Sequence, residues 1–174
     1  MQPYADWAPR EWILLARLRA RNGDAEGARA ALRNLGGDAS RSESLSTRME
    51  FAAVQVLISL AAGERDAEEK LRHAMAVLDS VREEVRTHET RGWDFPANLT
   101  PKNAHHAVID LAVAQVLFGR GDAALELLAR LRDLQEWEFE LFAHDPVLSR
   151  VAGDAAALES LRKATARREG LAIF

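Results

Sequence analysis

The chain has 174 residues, 48% of them hydrophobic, with a formal net charge of −4 and no cysteine. That length holds one domain with a buried core. The missing thiols exclude a disulfide framework, a cysteine nucleophile and a thiolate metal site. The acidic balance argues against a general nucleic-acid binder.

Leu and Ala dominate while Pro and Tyr are scarce, which favours helices over sheet. Residues 1–8 lack the basic start and unbroken apolar run of a signal peptide, and read as an approach segment. Tyr4 and Trp7 are placed to fold back on the first helix. Pro9 fits that helix's first turn, where its missing N–H costs nothing. Trp12, Leu15, Ala16 and Leu18 then recur at helical spacing up to Arg21. After Asn22-Gly23-Asp24 a second helix gathers Ala28, Ala31, Leu32 and Leu35 on one face, and Gly36-Gly37 stops it. Residues 38–45 form a polar, Ser-rich connector.

Thr47-x-x-Glu50 is a capping-box pattern that opens a third helix. Met49–Ala62 is apolar on nearly every side, apart from Glu50, Gln55 and Ser59, so this helix is expected to be buried on several faces. No apolar stretch reads as a bilayer span, since Phe51–Ala62 is interrupted by Gln55 and ends at Gly63. Asp66-x-x-Glu69 opens a fourth helix running to about His88. Its Ala67, Leu71, Ala74, Leu78, Val81 and Val85 step by four and three, a stripe suited to the core or to a dimer seam.

Thr90–Thr100 is irregular and carries Trp93 and Phe95, aromatics that either plug a gap or anchor a partner. Pro101 opens a fifth helix. Ile109–Leu134 then reads as two helices broken at Gly119-Arg120-Gly121-Asp122, with the Asp122 carboxylate as the expected cap of the second. That second helix is expected to fray or bend around residues 135–142, where Trp137, Phe139, Leu141 and Phe142 crowd. Asp145-Pro146 breaks the chain. A turn at 147–151 leads to a last helix capped by Asp154, with Ala157, Leu158, Leu161 and Ala164 inside. Turns this short force antiparallel neighbours. The expected fold is all-α, one domain over 1–174, with helix pairs at 9–36, 46–89 and 101–143 and a capping segment at 145–170.

Trp12, Leu15, Ala16, Gly23-Asp24, Ala28 and Leu32 together resemble the tetratricopeptide repeat, and Ala114, Leu117, Gly121-Asp122 and Leu125 or Leu128 repeat the pattern. Arg19 stands where that motif has an aromatic, and no Pro closes the unit after Leu35. The tail Asp145-Pro146-x-Leu148-x-x-Val151-x-x-Asp154-x-x-x-Leu158-x-x-Leu161 is similar to the segment closing such arrays in bacterial multidomain signalling proteins. The resemblance implies a short right-handed superhelix whose last apolar face is covered by a capping helix. It also implies a C-terminal region of a bacterial signalling or regulatory protein, acting by recognition without catalysis. In the family's register Arg10, Ile13, Arg17 and Arg21, with Leu111, Gln115 and Phe118, would line a basic, partly apolar groove for an acidic or extended peptide.

Other chemistry is thin. His88, His105, His106 and Asp110 form the alternative, a metal-binding or hydrolytic site, but no established ligand spacing is present. There is no Gly-x-Ser-x-Gly elbow and no Gly-rich phosphate loop. Arg120-Gly121-Asp122 spells an adhesion tripeptide that the turn itself explains, and Asn98-Leu99-Thr100 a glycosylation acceptor. The sequence reading therefore expects no enzyme, metal or other cofactor. It expects a cytoplasmic module that binds a protein or peptide or forms a homodimer, with no nucleic acid and no membrane, or else a ligand-sensing domain.

Overall fold

A computed structural model describes residues 9–35, 45–90, 101–131 and 136–166. Among them there is no strand. The helices are α1 (Pro9–Arg21), α2 (Ala25–Arg33), α3 (Leu45–Ala62), α4 (Ala67–Thr90), α5 (Pro101–Leu117), α6 (Gly121–Leu128), α7 (Glu136–His144), α8 (Ser149–Ala152) and α9 (Ala155–Ala166). Contacts group into two compact units, Met1–Val81 and Arg82–Phe174, with the boundary inside α4.

One turn design recurs three times. α1, α3 and α5 each end at a glycine with positive φ: Gly23 at 80°, Gly63 at 65° and Gly119 at 74°. Each glycine N–H reaches back to the carbonyl three residues earlier, and the next N–H reaches five residues back. These second bonds are Asp24 to Arg19 at 2.9 Å, Glu64 to Ser59 at 2.9 Å and Arg120 to Gln115 at 2.8 Å. This paired closure satisfies carbonyls that the helix end would otherwise orphan, and only glycine enters it without a Cβ penalty. The chain then turns directly into the next helix.

In the first unit α1 packs on α2 and α3, and α2 on α3. Ala16 and Ala20 of α1 and Ala28 and Ala31 of α2 are buried small residues that let the two helices approach closely. The Asp24 side chain caps α2, accepting from the Gly27 N–H at 2.8 Å. α3 is the core helix, burying Leu45, Met49, Ala52–Val54 and Val56–Ile58. It begins at Leu45, ahead of Thr47, so the capping-box reading of Thr47 fails and Glu50 is left for another role. The helix is also longer than the Phe51–Ala62 stretch. By length and composition it could cross a bilayer, which corrects the sequence reading, although 61% of it is buried inside this fold. Ala67, Leu71, Ala74, Leu78 and Val81 of α4 are all buried within the chain, so this part of the stripe is core and not an open seam, and the Val85 side chain lies outside those described.

In the second unit α5 packs on α6, α6 on α8, and α7 on α8 and α9. From His105 to Val116 only His106 and Ile109 of α5 escape full burial. Asp122 does not cap α6: the cap position is Arg120 and makes no side-chain cap bond. Gly121, already inside the helix, has a different task, since a Cβ there would meet Val151 Cγ1 of α8 at 2.9 Å. α6 stops at Leu128 instead of bending onward, because the amides of Arg130 and Leu131 close tight three-residue bonds to Leu127 and Leu128. Phe139 and Phe142 of α7 meet edge-to-face at 6.2 Å, and the Arg162 guanidinium lies over the Phe139 ring at 5.3 Å. The tail follows its sequence pattern in part: the expected turn holds the short α8, Ala157 is half-buried, and the Ala164 side chain lies outside those described. Asp145 Oδ1 accepts from the amides of Val147 and Leu148, Asp154 Oδ1 accepts from Ala157, and Leu148, Leu158 and Leu161 are buried.

Candidate functional site

The first unit carries a surface cleft of about 400 Å³ built by α2, α3 and the turn into α4. Arg29, Leu32 and Arg33 share one face of α2 by their spacing of three and four. Phe51, Gln55, Ile58 and Ser59 do the same on α3, and Glu64 and Lys70 close the end where α3 stops. The size falls within the range of ligand-binding clefts, roughly 300–1,000 Å³.

The closed end is a polar hub centred on one carboxylate. The Ser59 hydroxyl donates to Glu64 Oε2 at 2.6 Å, and Lys70 Nζ donates to the same oxygen at 2.9 Å and to Ser59 Oγ at 2.7 Å. Arg29 Nη2 reaches Glu64 Oε1 at 2.5 Å, and its Nη1 pairs with Glu26. Asp66 adds a second acid 3.1 Å from Lys70. The hydrogen bond from Lys70, that from Ser59 and the nearby charges hold the Glu64 carboxyl down at about 2 from an ordinary 4.5, against a smaller desolvation effect. Lys70 moves the other way. Burial works against its charge, but its bonds to Glu64 and Asp66 outweigh that and raise its pKa.

A serine 2.7 Å from a lysine invites comparison with a Ser–Lys nucleophile pair. The protonation states oppose it here, because a lysine with a raised pKa is a donor and cannot accept the serine proton. Glu64, which does accept the hydroxyl, is too weak a base. Ser59 is also fully buried. The hub is structural: it ties α2, α3 and the start of α4 together.

The residues singled out from the sequence fall elsewhere. Of the expected groove, Ile13, Arg17, Leu111 and Gln115 are buried, Phe118 is half-buried with the Arg120 guanidinium 5.6 Å over its ring, and Arg10 and Arg21 are exposed. Arg17 Nη2 lies 3.3 Å from Glu50 Oε2, with side chains 6% and 2% exposed, and Arg10 Nε approaches Glu50 Oε1 at 4.0 Å. Ile13 and Arg17 occupy the face of α1 that packs on α3, so what looked like a basic surface is partly a neutralised internal pair. Leu111 and Gln115 sit on the nearly all-buried 105–116 stretch of α5. These four are therefore not surface that a partner could touch.

The histidines do not converge either. His105 is buried with Nδ1 3.3 Å from Glu138 Oε1, whereas His106 is exposed and Asp110 buried. Among the described residues no group of three His, Asp or Glu side chains could hold a metal ion. His88, Trp93 and Phe95 lie outside the residues whose side chains are described.

The cleft itself was missed in the sequence, although a signal existed. Glu50, Gln55 and Ser59 are the polar exceptions of an apolar helix, and each has a place: on Arg17, in the cleft wall and in the hub. Comparison with protein-family models, with curated proteins and with solved structures gives no match.

Proposed function

We propose that this chain is a non-catalytic protein-interaction module of tetratricopeptide-like design, which holds a segment of a partner protein in the α2–α3 cleft. The observation that carries this reading is the cleft's composition: an apolar wall of Leu32, Phe51 and Ile58 beside a few polar groups. That is the usual make-up of a recognition site. Three helix ends closed by the same glycine turn support the repeat-like part of the reading. A cytoplasmic setting, as the C-terminal region of a bacterial regulatory protein, belongs to the same proposal.

The test is to pan the immobilised chain against a random 12-residue peptide library on phage and to measure the recovered peptides in solution by fluorescence anisotropy. Saturable binding by recovered peptides is the expected result. No enrichment over bare beads would overturn the proposal. A ligand-sensing role is the second reading, favoured by a cleft volume that also suits a small molecule. Self-association has its own candidate surface in Trp137 and Leu141, which stand 61% and 57% exposed one turn apart on α7.

A further inference from the structure

Resting on the recognition reading, we infer that the cleft takes an extended peptide bearing an acidic side chain next to an apolar one, with the carboxylate on Arg33 and the apolar group between Leu32 and Phe51. Three cations, Arg29, Arg33 and Lys70, line the cleft. Glu26, Glu64 and Asp66 offset Arg29 and Lys70, which leaves Arg33 as the cation placed to meet an anionic ligand.

Glu64 is occupied by Arg29, Lys70 and Ser59 together, so a basic peptide finds no open carboxylate in the wall. Arg29 and Lys70 are likewise engaged. Arg33 stands one turn further along α2, about 6 Å beyond Arg29 by helical rise. It is exposed and has no hydrogen-bond or ion-pair partner among the described residues. Its planar fork suits a carboxylate. Gln55, half-buried in the opposite wall, also has no partner among the described residues. Its amide carries a donor and an acceptor, which matches the alternating N–H and C=O of an extended backbone.

The cleft does not suit a nucleic acid. Binding a nucleic-acid backbone requires several cations along a track, whereas this cleft leaves one uncommitted. Apolar contact from Leu32 and Phe51 then decides the neighbouring side chain.

The experiment extends the library selection. Recovered peptides are expected to carry Asp or Glu within a few residues of Leu, Phe or Trp. Arg33→Glu and Phe51→Ala should each weaken a recovered peptide at least tenfold, and replacing the peptide's acid with Lys should restore binding to Arg33→Glu. Far-UV circular dichroism and thermal unfolding report whether each variant is folded, and Arg33→Gln supplies a milder second variant. Peptides without acidic residues, or affinity changed less than twofold by Arg33→Glu, would overturn the inference. Loss of binding with Trp137→Ser in place of Arg33→Glu and Phe51→Ala would move the site to α7 and overturn the cleft assignment together with the inference, whereas recovered peptides without an acid that still need Phe51 would overturn the inference alone. An empty selection would remove both.

Discussion

Arg17 and Glu50 offer the sharpest test of how the first unit is built. At 3.3 Å, an effective dielectric of about 20 gives an attraction of ~5 kcal/mol. Removing one partner of such a buried pair typically costs about 3–5 kcal/mol, because the other charge remains buried without compensation. Arg10 compensates little, since its side chain is 56% exposed and its Nε lies 4.0 Å from Glu50 Oε1. Arg17→Ala should therefore lower stability by about 3–5 kcal/mol in urea unfolding followed by circular dichroism. Arg17→Met with Glu50→Leu should recover most of that loss, because a well-packed apolar pair replaces the desolvated ions. A loss under about 0.5 kcal/mol for Arg17→Ala, as expected of an ordinary surface arginine, would refute the reasoning. So would additive losses in the double variant.

Other outcomes follow from the turns, the caps and the hub. Gly63→Ala should cost about 1–2 kcal/mol, the penalty for an L residue in the left-handed region, although nothing stands within 4 Å of the added Cβ; an unchanged midpoint in urea would contradict it. Asp24→Ala should cost roughly 1 kcal/mol through its lost cap, whereas Asp122→Ala should not show that cost, a contrast readable by the same unfolding assay. Because Glu64 is held at about 2 in the folded chain and 4.5 otherwise, its contribution is complete above about pH 5 and is lost as pH falls toward 2. Glu64→Gln should flatten that part of the stability profile between pH 5 and 2; an unchanged acid limb would show that the hub carries little weight.

Most of the helices, the Gly23 and Gly119 breaks, the Asp154 cap and the Asp145-Pro146 stop were legible because each is a local effect. A glycine, a short acid or a proline acts within a few residues of itself, and periodicity does the rest. The cleft was not legible because it joins α2 to α3 across 36–44, and nothing local links Arg29 to Glu64. Arg17 misled for the same reason. Its sequence neighbours place it on an amphipathic helix, while Glu50, the residue that decides its burial, lies 33 positions away. Thr47 misled in a different way. Its pattern fits a cap, but the helix had already begun at Leu45, whose side chain is buried.

The three glycine turns also bear on how much of this chain's sequence the fold constrains. Each reversal is specified between one carbonyl and one amide, as from Arg19 to Asp24, and needs one residue type at one position. Elsewhere the helices ask mainly for small or apolar residues inside and polar ones outside, a demand many sequences meet. A fold written in so few obligatory letters can be rebuilt from widely different texts. What such a fold holds fixed is spacing more than residue identity.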